Sequence, residues 1–304
     1  ADGSTLVVGF YTKLLTDLQS ALEPVIMVNL DFEDGTQLEK RISYEQSEWS
    51  AATDQCNVTI GHNYFRGDLE TYEIHFQDDD LTLDIQIQRE AISWRPQTGH
   101  MMFGEDGDFF AWVVPVPQGH ATVSYTYNGE TVNTTGSGYH DHNWGNKSLS
   151  EIINHWYWAR AEVGPYAVIA SEIIAEKAYG YDSLVVFNIS KDGQLVQDNG
   201  ENVKLLRVFP LPDATTGKPV SKEVRFEYED AENRYELKLV VEDSLLNIFL
   251  LEGPMRVASM LLTGTEAAYM RFSGVAILSV YAGGNLQETY ENDAAVWELM
   301  YFGK

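Results

Sequence analysis

Residues 121–135 read ATVSYTYNGETVNTT, two short runs of β-branched and aromatic residues on either side of Asn128-Gly129. Asn-Gly suits the two central positions of a tight hairpin turn, where both residues need positive φ, so the stretch predicts an antiparallel hairpin. Upstream, Leu81, Leu83, Ile85 and Ile87 alternate with Thr82, Asp84, Gln86 and Gln88, the pattern of a half-buried strand with one wet face. The Asp78-Asp79-Asp80 run before it reads as a solvated turn. Further strands are expected at 4–12, at 25–32 ahead of Asp34-Gly35, and at 37–44, 57–64 and 71–77. Residues 109–116 (FFAWVVPV) are more continuously apolar, and Pro115 and Pro117 suggest a sheet edge or the end of a domain. Residues 14–22 read equally as a short helix stopped by Pro24 or as a loop.

Downstream, strands are expected at 166–174, 183–190 with the Asp192-Gly193 turn, 203–209, 223–230, 235–242, 244–251, 255–262, 268–281 and 294–302. The pattern contains no long amphipathic helix and no low-complexity tract. Many short strands over this length imply an all-β chain of sandwich or barrel type, most economically two β domains in tandem. The division is expected near Gly145, giving domains 1–145 and 146–304. No linker composition marks it, so the halves are expected to pack face to face.

The hairpin delivers the chain to Gly138-Tyr139-His140-Asp141-His142-Asn143-Trp144-Gly145-Asn146, followed by His155-Trp156-Tyr157-Trp158-Ala159-Arg160. If the first segment is extended, His140, His142 and Trp144 share one face, and Tyr139, Asp141 and Asn143 share the other. In the second, Trp156, Trp158 and Arg160 share a face opposite His155 and Tyr157. An apolar wall with a few polar tips is what a small-molecule pocket is built from. All seven His lie between His62 and His155, so the second half brings no imidazole of its own beyond that point.

Composition narrows the partners. With 46 acidic against 20 basic residues the formal charge is −26, which disfavours nucleic acid and anionic membrane surfaces, since both need clustered Lys and Arg. No apolar run is long enough to span a bilayer, and no signal peptide is visible in a sequence that starts at Ala1. The single cysteine, Cys56, excludes an internal disulfide framework and any multi-cysteine zinc site. Sequons at Asn57, Asn133, Asn146 and Asn188 lean toward a secreted glycoprotein. A homodimer is compatible with all of this.

At this point the residues carry a family likeness. Gly138-Tyr139-His140-Asp141-His142-Asn143-Trp144-Gly145 resembles the Asp-His-Asn-Trp-Gly motif of the carotenoid 1,2-hydratase-like (hydroxyneurosporene synthase) family. Asp2-Gly3-Ser4 leading into Leu6-Val7-Val8-Gly9-Phe10-Tyr11 is similar to that family's Asp-Gly strand opening. Ser93-Trp94-Arg95-Pro96, Tyr269-Met270-Arg271-Phe272-Ser273-Gly274 and Val296-Trp297-Glu298-Leu299 resemble other stretches of it, so the likeness covers nearly the whole chain. It implies a tandem pair of lipocalin-like β domains with a hydrophobic cavity between or within them. Members include carotenoid hydratases, a fungal secreted hydratase of an isoflavonoid phytoalexin, and fungal Diels-Alderases of polyketide and sesquiterpene pathways. The sequons favour the fungal branch. A Trp-Trp-Tyr-Phe-Asp strand that usually precedes the Asp-Gly opening is not in this sequence, so part of a pocket wall is expected to lie outside the numbering.

The chain carries no Gly-x-Gly-x-x-Gly after a strand, no Walker loop and no nucleophile elbow; Gly136-Ser137-Gly138 reads as a turn without the elbow's spacing. The expected chemistry therefore needs no cofactor, only shape, hydrogen bonds and proton transfer. For a cycloaddition on a hydrophobic terpenoid or polyketide, His142, Tyr139 and Arg160 are the expected donors to a developing negative charge, with Trp144, Trp156 and Trp158 as stacking walls. His140, Tyr64, Trp94 and Arg271 complete the expected substrate-binding set. For hydration of an isoprenoid alkene, Asp141 and His142 would divide the acid and base roles, although neighbours on a strand face opposite sides. A non-catalytic carrier and a metal site built on His140 and His142, completed by His155 or Asp141, are the rivals from other classes.

Overall fold

The computed structural model describes residues 2–13, 21–250, 253, 256, 260, 261 and 266–303. The segments 14–22 and 255–262, for which a helix or loop and a strand are expected, lie largely outside these. Among the described residues the fold is β apart from short 3-10 turns, one turn of helix, α1 (Leu149–Ile152), and the helical positions Gly253, Arg256, Met260 and Leu261, so the described part of 255–262 is helix where a strand is expected. No described helix is long and apolar enough to cross a membrane.

The chain divides into two compact units, residues 1–94 with 113–142, and residues 95–112 with 143–304. The second unit therefore takes in a segment from the middle of the first, which the single expected cut at 145 does not provide.

In the first unit, β1 (Thr5–Tyr11), β2 (Val25–Asp31) and β3 (Gln37–Ser43) form a three-stranded antiparallel sheet. Its apolar face joins one core with the sheet formed by β4 (Trp49–Ala51), β5 (Cys56–Ile60), β6 (Asn63–Gly67), β7 (Thr71–Gln77) and β8 (Leu81–Arg89). Beyond β8 the first unit continues into the later part of β10 (Asp108–Tyr127) and most of β11 (Glu130–Gly145), whereas β9 (His100–Phe103) and the start of β10, to which it pairs, count with the second unit. Leu81 and Leu83 are buried with Ile26, Val28, Leu30 and Phe76, while Ile85 and Ile87 join Tyr72, Ile74, Val116 and Ala121, so the alternation read in β8 sets one continuous inner face. Asn128 (φ 51°) and Gly129 (φ 84°) make the expected hairpin turn between β10 and β11. The turn at Asp78 is more than solvated: Lys40 bridges to both Asp78 and Asp80, and Asp78 accepts the N–H groups of Asp80 and Leu81.

Two expectations change. Pro115 and Pro117 lie inside the long strand β10, where its ladder partner switches from β9, up to Ala111, to β8, from Gly119 onward. A residue without an N–H is tolerated where no ladder needs one. Gly136-Ser137-Gly138 is not a turn but continuous β11. A Cβ on Gly138 would lie 2.9 Å from Ile87 Cγ2 and 3.3 Å from Ala121 Cβ, so the glycine lets the strand lie close on its neighbours.

The second unit is a nine-stranded antiparallel sheet, in the order β15 (Gln194–Gln197), β14 (Ser183–Lys191), β13 (Tyr166–Ala175), β12 (Ile153–Val163), β20 (Asn285–Tyr301), β19 (Ala268–Ala282), β18 (Asn233–Phe249), β17 (Pro219–Glu229) and β16 (Val203–Pro212). The sheet curls until its ends approach: Phe187 of β14 stacks on Tyr228 of β17 at 6.1 Å, and Gln197 of β15 donates to the Tyr228 hydroxyl. The concave face packs a single core that includes Tyr157, Val168, Phe187, Phe226, Leu278 and Trp297. The two expected strands at 235–242 and 244–251 are one strand, β18, that continues through bulges after Val241 and Ser244.

Candidate functional site

In the first unit β11 is extended as expected, so its side chains alternate. Tyr139 donates from its hydroxyl to Asp141 Oδ2 at 3.1 Å, placing both on one face. His140, on the other, is wedged between Phe65 and Tyr72, with ring centroids 4.5 and 4.6 Å away, and Phe10 packs edge-on against Phe65 at 5.9 Å. Among the described residues no carboxylate or hydroxyl pairs with the His140 ring. Burial therefore dominates, with a smaller contribution from His142, and pulls its pKa down to about 3. Desolvation lowers His142 in the same direction. Both imidazoles are neutral near pH 7, able to donate or accept a hydrogen bond without bringing charge. The same wall carries Tyr72, pushed up to about 12 by burial, and Cys56, whose thiol burial also raises. Neither phenolate nor thiolate is present there at neutral pH.

Asp141 and His142 are successive residues of the extended strand β11 and face opposite sides, so hydration would not find its acid and base side by side on one face. Among the described residues no three His, Cys, Asp or Glu side chains converge on a point that would hold a metal ion. Tyr64 is on the reverse of β6 from Phe65, stacked on His75 at 5.4 Å with Arg66 above it at 3.6 Å, and is not part of the His140 wall. Trp94 is buried and bridges by backbone hydrogen bonds to Val114.

In the second unit Trp144 meets His100 edge-on at 5.7 Å, and His100 lies 4.9 Å from Phe109. Trp156, Trp158 and Arg160 share the convex face of β12, as alternation predicts. Cross-strand register sets Trp156 opposite Met300 and Trp158 opposite Glu298, then Met300 opposite Tyr269 and Glu298 opposite Arg271. Trp156 is further packed by Phe110 at 6.5 Å and Phe302 at 5.2 Å. Arg160 is ion-paired with Glu162, and Arg271 with Glu298 at 3.3 Å. Tyr269 donates to Glu298 and accepts from Arg271 at 2.8 Å; burial, with the glutamate charge behind it, holds its phenol far above the ordinary range. Sequence reasoning names Trp156, Trp158, Arg160 and Arg271 for this face and misses Tyr269 and Glu298. The signal for both was the alternation of Tyr269 with Arg271 and the position of Glu298 in the closing strand.

Of the sequons, Asn57 and Asn133 are exposed. Asn146 is exposed too, but its side chain is a latch: Oδ1 accepts the Phe109 N–H at 2.9 Å and Nδ2 donates to the Gly107 carbonyl at 3.0 Å. Asn188 is 1% exposed on β14, which leaves no room for an oligosaccharide and removes it from the expected glycosylation set.

Antiparallel β units with aromatic faces, the second of them a curled sheet, define a protein of lipocalin-like fold. The chain belongs to the Diels-Alderase-like family, whose sequence profile matches residues 34–245. It is 31% identical over 85 residues to the quinolone epoxide rearrangement protein penF of Penicillium thymicola, a match covering 28% of this chain and 23% of that one. Over 94 residues it is 27% identical to the quinolone epoxide rearrangement protein asqO of Emericella nidulans, covering 28% and 26%. These matches thus span about a quarter of each relative's length. Among solved structures the fold is similar to CghA with Sch210972 (TM-score 0.69, 12% identity, 98% of this chain and 84% of that one). It is also similar to kievitone hydratase from Nectria haematococca (TM-score 0.61, 13% identity, 99% and 84%).

Proposed function

We propose that the chain is an enzyme of secondary metabolism that holds a hydrophobic terpenoid or polyketide and guides a stereoselective cycloaddition by positioning and hydrogen bonding. The observation that carries this reading is the convex face of β12, β20 and β19. Two indoles share it with two guanidiniums, and a glutamate already neutralises each guanidinium. Such a face presents N–H donors over an aromatic wall without the net charge that would attract an ion instead of a neutral molecule. In a cycloaddition, bond formation needs the two π systems stacked at reacting distance, which Trp156 and Trp158 favour. It is accelerated when a carbonyl on one partner is polarised, a role for the Arg160 and Arg271 N–H groups. In the first unit, the neutral imidazoles of His140 and His142 are uncharged hydrogen-bonding groups of the same kind. Family membership and the likeness to rearrangement proteins support an enzyme that works on bond reorganisation.

The test is to delete the gene in its source, isolate the intermediate that accumulates, and incubate it with purified protein. The expected product has the mass of its precursor and one new ring system of single handedness. A product heavier by one water would replace cycloaddition with hydration. Binding without turnover, with Trp158→Ala losing affinity alone, would make the chain a carrier.

A further inference from the structure

We propose that the open end of the second unit's curled sheet holds a binding site of its own, in which His155 Nε2 accepts a hydrogen bond from a ligand hydroxyl and Arg207 donates to a neighbouring carbonyl or carboxylate oxygen. The ligand class is a compact molecule that carries both a hydroxyl and a carbonyl or carboxylate oxygen. This site is on the concave side of β12, opposite the face that carries Trp156 and Trp158, and does not depend on the reading given above for that face.

The argument starts at Asn154. Its Nδ2 donates to Glu176 Oε2 at 2.8 Å, and since a carboxylate only accepts, the amide can be turned only one way. Oδ1 then faces His155 Nδ1 at 2.9 Å, so Nδ1 must carry the ring proton and Nε2 is left as a bare acceptor. The amide cannot swing away. Its backbone carbonyl accepts the N–H groups of Phe302 and Gly303, both at 2.8 Å, and Gly303 packs so closely on the amide that a Cβ there would overlap it. The ring plane is fixed as well, stacked on Tyr301 at 5.0 Å, while the Tyr301 hydroxyl is tied to the Pro219 carbonyl at 2.9 Å. Glu176, Asn154 and His155 thus form a relay that aims one unprotonated nitrogen. Among the described residues nothing hydrogen-bonds to Nε2, and it is not a sealed interior atom.

The groups around it are cationic and donating. Arg207, on β16, lies over the Tyr157 ring at 5.5 Å and commits one NH2 group to Glu172, leaving its other N–H donors without a described protein partner. Glu172 is further held by the Ser183 hydroxyl at 3.1 Å. Lys218, in the turn before β17, donates to the Gly303 carbonyl at 3.2 Å and approaches the Tyr301 ring at 5.3 Å, with Glu266 the acidic group that acts on it. Burial, then the charges of Arg207 and Lys218, lowers His155 to about 4, so at neutral pH its ring is uncharged. A neutral acceptor beside guanidinium donors matches a hydroxyl next to an acceptor oxygen. Arg207 and Lys218 favour the form whose oxygen is anionic.

The full-length protein, 15N-labelled and titrated with salicylate, tests this. Two-bond nitrogen–proton correlation at pH 7 should give His155 a pyridine-type Nε2 and a pyrrole-type Nδ1, the signals being assigned by their loss in His155→Gln. Salicylate should shift them. Benzoate, which lacks the hydroxyl, should bind about tenfold more weakly or worse, as should salicylate to His155→Gln and to Arg207→Gln. Should Arg207→Gln fail to fold, Arg207→Lys keeps the charge and loses the fork, with the same weakening expected. A protonated Nε2 overturns the proposal. So do His155 signals indifferent to salicylate, equal binding of salicylate and benzoate, or undiminished binding by either variant.

Discussion

Replacing His140 with Phe and comparing stability at pH 7 and pH 5 isolates the consequence of burying an imidazole between two aromatic rings. In the folded chain His140 keeps its proton off until about pH 3, whereas in the unfolded chain it titrates near its ordinary value of 6.5. Because the folded pKa is the lower one, the unfolded state binds the extra proton. Stability is therefore complete above about pH 6.5 and falls progressively as the pH drops toward 3. At pH 5 the unfolded group lies about 1.5 pH units below its pKa, which corresponds to about 2 kcal/mol lost from this residue alone. Phe fills a similar space against Phe65 and Tyr72 and does not titrate, so the variant should lose about 2 kcal/mol less than the parent between the two pH values. Urea unfolding at both pH values measures the difference, and hydrogen exchange of amides in β7 and β8 reports on the first unit itself. Equal losses in parent and variant, or an NMR titration of His140 centred near pH 6.5, would refute the reasoning.

Four further outcomes are expected. Trp158→Ala should lower kcat/KM on the accumulated precursor by about tenfold or more, with kcat itself reduced at saturating substrate in steady-state assays. Gly138→Val should destabilise the first unit by about 1–3 kcal/mol in thermal unfolding, since the new side chain meets Ile87 and Ala121. Arg271→Met should cost about 1–3 kcal/mol by stripping Glu298 of its cation, and adding Glu298→Gln should return part of that in a double-mutant cycle. Protein produced through a eukaryotic secretory host should carry sugar at Asn57 or Asn133 and none at Asn188, as read by glycopeptide mass spectrometry.

Much of the architecture was legible because β structure writes itself at short range. The Asn128-Gly129 turn and the two-residue period of β8 needed no distant information, and the face-sharing of Trp156, Trp158 and Arg160 followed from the same period. What alternation does not supply is which face turns inward, since that is decided by the sheet that comes to lie against it. Tyr64 and Phe65 are equally aromatic in the sequence, yet only Phe65 reaches His140. His155 belongs to the same aromatic run as Trp156 and points to the other side of the strand. The partner switch along β10 was also hidden, because two prolines in an apolar run mark a missing ladder bond without saying which two strands share the ladder.

The membership of residues 95–112 in the second unit has a practical consequence for anyone wishing to take the protein apart. No single cleavage yields both halves intact: a fragment beginning after Gly145 lacks β9 and the start of β10, and one ending there retains them as a stranded insertion. Separate expression calls for a rewired chain, with the 95–112 hairpin spliced ahead of Asn143 and the gap at Trp94 and Val113 rejoined.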